Sequence, residues 1–153
     1  FMTDALNRLR QSDLISICSL NGPALGGGSE IVTACDFRIM PSDENNYIQF
    51  IHAKIGACPG WGGARRLTSI VGRNQALLTC AGSLKLTPQK ALDMHLVDAL
   101  YIPYTASSIE DSPEAHAISQ GVEFLEPFLV QKFPGSVRAI KLSIAGVEYL
   151  DTQ

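Results

Sequence analysis

The stretch "NGPALGGGSE" (residues 21–30) places three consecutive glycines directly before a Ser-Glu pair and an apolar run with helical spacing. Each glycine weakens a regular element by roughly 1 kcal/mol relative to alanine, so a run of them indicates that the bare backbone is needed here. Glycines where a strand turns into a helix let a ligand approach the main chain, and the free N–H groups of the first helical turn then point at it.

Three uses are open for Gly26, Gly27 and Gly28. Phosphate binding is disfavoured, because the G-x-G-x-x-G spacing fails and the sequence contains no Gly-Lys-Ser/Thr motif. A second use is to stabilise the oxygen of a carbonyl that becomes an enolate, where loss of one N–H donor costs on the order of 3 kcal/mol of transition-state stabilisation. The third use is tight packing of the helix on the strand.

The segments around the glycines predict an α/β unit. "LISICSL" (14–20) has the apolar run of a buried strand and ends at the Asn-Gly turn of residues 21–22. "SEIVTACDF" (29–37) fits a short helix packed on that strand, and "FRIM" (37–40) fits the next strand. The order strand, glycine turn, helix, strand is typical of α/β folds.

Elements are also predicted on both sides of this unit. The apolar spacing of residues 1–10 predicts a helix. Downstream, the sequence predicts a strand at 47–51, a glycine-dense loop at 56–63, helices at 64–72 and 74–82, a helix opened by Thr87-Pro88, a strand at 97–102, and helices at 114–130 and 136–150. We therefore expect a core at 1–103, a loop or linker at 104–113 and a C-terminal helical region at 114–153.

Composition limits the classes of function. The 153 residues are 46% apolar and 18% charged with a formal charge of -3, which fits one globular domain. Lys and Arg are scattered singly apart from Arg65-Arg66, so nucleic-acid binding is not expected, and no apolar run approaches the ~20 residues that span a bilayer. The four cysteines have neither C-x-x-C spacing nor a nearby histidine at metal-ligand spacing, and they are interpreted as buried, reduced thiols of an intracellular protein.

Three ordered blocks, "ALGGGSEIVTACDFRI", "GACPGWGGARRL" and "GSLKLTPQKALDMHLVDAL", resemble the enoyl-CoA hydratase/isomerase (crotonase) superfamily. The resemblance implies an α/β fold, the crotonase-like ββα spiral, present as a partial domain that is truncated at the N-terminus and at the C-terminus and followed by C-terminal helices. Early strands and a second oxyanion donor are expected to precede residue 1. Because a truncated spiral exposes apolar edges, this piece is not expected to fold alone.

The resemblance also implies three catalytic residues. Gly27 gives its N–H to the thioester carbonyl, Glu30 follows the glycines, and His52 stands where hydratases have a second glutamate. Hydration uses two carboxylates to hold and deprotonate one water, whereas decarboxylation needs an oxyanion site and a proton donor, and an imidazole suits the second task. The alternatives are a core histidine at position 52 and, for Glu30, a carboxylate favoured by the helix dipole by ~0.3–1 kcal/mol.

The substrate-binding residues implied by the resemblance lie mainly in the two glycine-rich segments. Trp61 stands where hydratases often have a small residue, so it either lines the acyl pocket or packs in the protein. Lys141, on the last predicted helix, either contacts the CoA adenine or phosphate or lies in solvent. The full set is Ala24, Leu25, Gly26, Gly28, Pro59, Gly60, Trp61 and Lys141.

The function expected from this resemblance is that of a cytosolic acyl-CoA decarboxylase. It releases CO2 from a short branched malonyl-type thioester, ethylmalonyl-CoA or methylmalonyl-CoA, through an enolate. No metal and no organic cofactor is expected, since CoA is part of the substrate, and a homotrimer or hexamer is expected as in the family. Two alternatives are an enoyl-CoA hydratase or isomerase that uses Glu30 alone, and a non-catalytic homologue that keeps the fold.

Overall fold

The computed structural model of the chain describes residues 1–105 and 112–150. The helices of this part are α1 (Met2–Arg10), α2 (Gly27–Val32), α3 (Gly63–Val71), α4 (Arg73–Cys80), α5 (Pro88–Asp93), α6 (Pro113–Leu129) and α7 (Pro134–Leu150). The strands are β1 (Ile17–Ser19), β2 (Ala24–Leu25), β3 (Phe37–Pro41), β4 (Ile48–Gln49) and β5 (Ala99–Tyr101), and a 3₁₀ turn covers His52–Ile55. The α/β class predicted from the sequence is confirmed.

The strands form two parallel sheets. In the first sheet β3 lies between β1 and β5, with Ile17 opposite Phe37. In the second sheet β2 pairs with β4, with Ala24 opposite Ile48. Parallel neighbours need a crossover connection, and the chain between β1 and β3 forms one that contains β2 and α2. The glycine-rich segment therefore lies on the connection between two neighbouring strands.

α2 begins at Gly27 rather than at the predicted Ser29, and it ends at Val32. Gly26 turns the chain into the helix with a φ of 52°, a conformation that residues with a Cβ rarely adopt. The N–H of Glu30 donates to the carbonyl oxygen of Gly26 at 3.2 Å, and the Ser29 hydroxyl donates to the same oxygen at 2.6 Å. The glycines thus form the first turn of the helix instead of a loop before it.

Three strands are shorter than predicted, and one was not predicted. β5 covers 99–101 of the predicted 97–102. β1 covers 17–19 of the predicted 14–20, and β4 covers 48–49 of the predicted 47–51. β4 is short because its partner β2 has two residues and ends at the turn of Gly26. β2 itself was not predicted, because two residues beside a glycine run carry no strand pattern of their own.

The main core takes side chains from both sheets and from the helices α2, α3, α4 and α5. Phe50, Met40 and Ile48 are fully buried there, and Leu67 of α3 packs against them. The other members of this cluster are Leu20, Val32, Ala76, Leu86, Ala91, Leu96 and Val97. α2 and α3 therefore sit on one apolar core, and this arrangement holds the two glycine-rich segments near each other.

Arg38 of β3 joins three parts of the chain through its buried guanidinium. It donates to the carbonyl oxygen of Leu96 at 2.6 Å and to that of Cys35 at 2.8 Å. It also forms an ion pair with Asp98 at 3.2 Å, and the Asp98 carboxylate accepts the N–H of Arg38 at 2.7 Å. Burial lowers the pKa of Arg38, and the Asp98 carboxylate opposes that shift. The guanidinium thus holds Leu96 and Asp98, which lead into β5, against β3.

Of the two C-terminal helices, α6 packs on the first sheet and α7 contacts α6. A Cβ built on Gly121 of α6 would lie 3.6 Å from the Cβ of Ser19, so the helix backbone comes close to β1. The ring of Phe37 lies 5.3 Å from that of Phe124 and 5.5 Å from that of Phe128. Within residues 1–105 and 112–150, no helix has the length and apolar character needed to cross a membrane.

The segment between the core and these helices is described only in part. Of the predicted loop or linker at 104–113, residues 106–111 lie outside the described residues. Residues 104–105 have no regular structure, and the Ser112 hydroxyl accepts the N–H of Ala115 as the cap of α6. Pro113 is already the first residue of that helix.

The four cysteines are free, but their burial differs. Cys35 is buried, Cys18 and Cys80 are half-buried, and Cys58 is exposed. The expectation of a buried thiol is therefore wrong for Cys58, because the loop that carries it lies on the surface. A hydrogen bond from Cys18 lowers the pKa of the Cys35 thiol to about 7.

We expect the Arg38→Met variant of the full-length protein to be strongly destabilised. The change leaves carbonyl oxygens and the Asp98 carboxylate without their buried donor, which costs about 3 kcal/mol of unfolding free energy. Urea unfolding measures this cost. The exposed Arg8→Met is the matched control and should stay within about 0.5 kcal/mol of the parent. Equal unfolding midpoints for the two variants would contradict the role given to Arg38.

Candidate active site

The Glu30 carboxylate is the buried polar centre of the two glycine-rich segments. The residue is 2% exposed. Its Oε2 accepts the N–H of Trp61 at 2.7 Å and that of Gly63 at 2.9 Å, and its Oε1 accepts the N–H of Gly60 at 3.2 Å. The Nε2 of His52 lies 3.2 Å from Oε1. α2 thus presents a carboxylate that four donors from a later part of the chain surround.

Gly63 makes this approach possible. A Cβ at this position would lie 2.4 Å from the Cγ of Glu30 and 2.8 Å from its Cβ, which is closer than real side chains come. The first residue of α3 must therefore be a glycine if its N–H is to reach the carboxylate. Gly63 was not among the predicted site residues. Its signal in the sequence was the second glycine of the pair that ends the "GACPGWGG" loop.

His52 opens the 3₁₀ turn that follows β4, and it is 8% exposed. Its ring centroid lies 6.1 Å from that of the core residue Phe50. Nε2 faces Glu30, whereas Nδ1 is buried and has no hydrogen-bond partner among the described residues. The structure therefore brings the predicted residues Glu30 and His52 into direct contact. Nδ1 of His52 makes no hydrogen bond to the described residues.

The Gly27 amide is the first of α2, so no carbonyl within the helix can accept its hydrogen bond. No backbone acceptor elsewhere in the described residues takes it either. The Trp61 ring lies directly on this glycine, because a Cβ at Gly27 would be 2.4 Å from Cζ3 and 2.6 Å from Cη2 of the indole. Trp61 itself is 36% exposed. An unpaired helix-start amide thus lies beside a half-exposed aromatic ring.

The predicted substrate-binding residues near Gly27 fall on two segments that meet at Glu30. Ala24 and Leu25 form β2, and Gly26 and Gly28 flank the predicted oxyanion residue. A Cβ on Gly28 would have no heavy atom within 4 Å, so the helix start is open on that side. Pro59 and Gly60 belong to the loop whose N–H groups hold Glu30.

Lys141 lies elsewhere in the molecule. It is 8% exposed and forms an ion pair with Asp36, so the alternative of a solvated lysine is wrong. It lines a groove of about 680 Å³ between α1, the start of β3, α6 and α7, and this groove contains none of Gly27, Glu30 and His52. A role of Lys141 in CoA binding stays a prediction.

We expect Gly63→Ala to destabilise the full-length protein by about 1–3 kcal/mol, because the added methyl group forces Glu30 away from its donors. Gly60→Ala is the matched control. It keeps the N–H that Glu30 accepts, and its Cβ would meet no atom within 4 Å. Thermal or urea unfolding of both variants tests this, and equal stability of the two would contradict the close approach at Gly63.

Comparisons with known proteins place this site in a family. The profile of the enoyl-CoA hydratase/isomerase family matches residues 2–105. The chain is similar to the ethylmalonyl-CoA decarboxylase of Bos taurus, with 38% identity over 98% of this chain and 45% of that protein. It is similar to the Rattus norvegicus protein of the same name, with 42% identity over 84% of this chain and 40% of that protein.

Solved structures give the same result for the fold. An enoyl-CoA hydratase from Geobacillus kaustophilus, 28% identical, superposes with a TM-score of 0.80 over 97% of this chain and 51% of that chain. For an enoyl-CoA hydratase from Bacillus anthracis, 26% identical, the TM-score is 0.78 over 94% of this chain and 50% of that chain. The crotonase-like fold predicted from the three blocks is confirmed, and the chain spans about half the length of the relatives it matches. The chain belongs to the enoyl-CoA hydratase/isomerase family.

Proposed function

We propose that the full-length protein is an acyl-CoA decarboxylase that releases CO2 from a short branched malonyl-type thioester, such as ethylmalonyl-CoA or methylmalonyl-CoA. The observation that carries the proposal is the contact between Glu30 and His52, because a histidine stands where the hydration reaction needs a second carboxylate. The names of the similar ethylmalonyl-CoA decarboxylases support the choice of substrate.

The hydrogen bonds of Glu30 favour decarboxylation over hydration. An ionised carboxylate offers about four lone-pair positions. Three main-chain N–H groups and the His52 ring approach the two oxygens of Glu30. These contacts leave no position with which Glu30 alone would hold and deprotonate a water, so they argue against a hydratase that uses this residue by itself.

The first step needs an electron sink and no base. The bond between the α-carbon and the carboxylate breaks, its electron pair moves into the thioester as an enolate, and CO2 leaves. In our proposal the Gly27 amide donates to the enolate oxygen, since this N–H lacks an intrahelical acceptor. One such donor contributes on the order of 3 kcal/mol when it is pre-oriented toward the developing charge. The segment 24–28 and the loop 59–61 would line the thioester.

The second step needs a proton at the α-carbon, and we assign it to His52. Glu30 orients the ring through Nε2 and compensates its positive charge, as the carboxylate does in a catalytic triad. Nδ1 is the nitrogen without a partner among the described residues, so we assign the transferred proton to this atom. Because Nδ1 is buried, the proposal requires that the bound thioester displaces the groups that cover it. The product is the acyl-CoA without the branch carboxylate, which is butyryl-CoA when the substrate is ethylmalonyl-CoA.

Three further properties belong to the same proposal. The reaction requires neither a metal nor an organic cofactor, because the thioester itself takes up the electron pair. The protein assembles as a homotrimer or hexamer and works in the cytosol, as the family resemblance implies.

The proposal predicts that the full-length protein converts ethylmalonyl-CoA to butyryl-CoA and CO2. His52→Asn should lower kcat by about 100- to 10,000-fold, because asparagine cannot donate a proton near neutral pH. Chromatography of the acyl-CoA products, with trapping of the released CO2, measures both reactions. The exposed His95→Asn is the matched control and should keep the parent activity, since asparagine also tolerates the positive φ of that position.

Two results would overturn the assignment. Rapid hydration of crotonyl-CoA without CO2 release from ethylmalonyl-CoA would identify a hydratase. Absence of both reactions, with a biological function that survives the combined Glu30→Gln and His52→Ala changes, would identify a non-catalytic homologue.

Trp61 should set the choice of acyl group, because its ring covers the Gly27 end of α2. Trp61→Ala opens space there while it keeps the N–H that Glu30 accepts. We expect the preference for ethylmalonyl-CoA over a thioester with a longer α-branch to fall about tenfold. Ratios of kcat/KM for the two substrates measure this, with Trp61→Phe as the conservative control. An unchanged ratio would mean that Trp61 serves packing alone.

A further inference from the structure

Arg66 of α3 is a buried cation that the proposed reaction does not use. It is 5% exposed. Its Nη2 donates to the main-chain carbonyl oxygen of Glu30 at 3.1 Å, and its Nε donates to the Thr33 hydroxyl at 3.1 Å. Its Nη1 lies 3.3 Å from the Oδ1 of Asn7 on α1. The guanidinium of Arg66 therefore links its own helix, α3, to α1 and to α2.

The contacts with Glu30 and Thr33 fall at the C-terminal end of α2. The last carbonyl groups of a helix lack intrahelical donors, and a cation at this end is favoured by the helix dipole. The Thr33 hydroxyl donates to the same Glu30 carbonyl oxygen at 2.7 Å, so the two side chains share one acceptor. Arg66 thus closes the end of the helix whose first residue is the proposed oxyanion donor.

Arg66 also lies against the loop that holds the Glu30 carboxylate. A Cβ at Gly62 would be 2.8 Å from Nη1 of Arg66, so the guanidinium touches the backbone of this residue. Gly62 stands between Trp61 and Gly63, whose N–H groups bind Glu30. The same side chain therefore contacts the main-chain carbonyl of Glu30 and lies close to Gly62, the residue between two donors of the Glu30 carboxylate.

The charges of Arg66 and Glu30 also interact. Burial lowers the pKa of Arg66, and the Glu30 carboxylate opposes that shift. Arginine stays charged at any physiological pH. Its flat guanidinium with several fixed donors suits simultaneous contacts of this kind, which a lysine ammonium reproduces only in part.

We propose that Arg66 is a positioning residue that fixes α2 against the loop 60–63, and so sets the Gly27 amide and the Glu30–His52 pair in the geometry of the reaction. This inference rests on the proposed function for its catalytic consequence. The structural part, that one guanidinium holds helix and loop together, stands on the contacts alone.

The test compares Arg66→Met and Arg66→Lys with Arg65→Met in the full-length protein. Arg65 is the exposed neighbour on the same helix, so its variant controls for loss of a positive charge on α3. Two readouts are needed. The first is kcat and KM for ethylmalonyl-CoA, and the second is hydrogen exchange of the main-chain amides, followed by mass spectrometry of peptides.

We expect Arg66→Met to lower kcat by about 10- to 100-fold with a much smaller change in KM, because misplaced catalytic groups slow the chemical step more than binding. Arg66→Lys should recover part of this loss. Exchange should accelerate in peptides that cover residues 26–33 and 56–63, and it should stay at parent rates in β3 and β5. Arg65→Met should match the parent in both readouts.

Two results would overturn the proposal. One is a parent-like kcat with unchanged exchange at 26–33 and 56–63 in Arg66→Met, and the other is acceleration spread evenly over the chain, which indicates general loss of stability. If Arg66→Met does not fold, Thr33→Val replaces it, since this isosteric change removes only the acceptor of Nε and the donor to Glu30. A parent protein that releases no CO2 refutes the proposed function, whereas the exchange pattern still decides the role of Arg66.

Discussion

A buried carboxylate needs donors on both oxygens, and the candidate site is arranged around the way in which Glu30 meets this need. The residue lies in the first turn of a short helix, yet no N–H group of that helix is among the donors recorded for its carboxylate within the described residues. The donors come instead from the loop 60–63 and the turn that begins at His52. The contacts of the Glu30 carboxylate thus join three segments that are distant in sequence. Because none of these contacts uses the N–H groups at the start of α2, those groups stay available for another acceptor.

Much of the fold follows from local patterns in the sequence. α1 and β3 are close to their predicted bounds and α5 begins at the predicted residue, because apolar spacing and a Thr-Pro start act within a few residues. β2 and the short length of β4 could not be predicted in this way, since both depend on pairing between residues that are distant in sequence. The first two blocks predicted the crotonase-like fold through their glycines, whose positions depend on backbone geometry more than on hydrophobicity, and the third block did so through a helix that ends near Leu96-Val97.

The candidate site could be predicted in part. The sequence indicated Gly27, Glu30 and His52, and the structure places the last two in contact. The sequence marked Gly63 only as one glycine of a glycine-dense loop and gave no indication of Arg66, because the importance of both residues comes from how closely two helices approach each other. Lys141 shows the same limit. Its helix has ordinary composition, and only the structure shows that its charge is paired with Asp36 instead of hydrated.

The loop after Pro59 binds the Glu30 carboxylate through main-chain N–H groups. The hydrogen bond from residue 61 therefore does not depend on which side chain stands there. Any residue except proline offers the same N–H. Descendants of one ancestral gene could therefore exchange the indole at this position for a smaller or larger group and explore new acyl groups without loosening the scaffold. In our proposal the backbone of residue 61 holds Glu30 while its side chain selects the acyl group, so one residue serves two independent tasks.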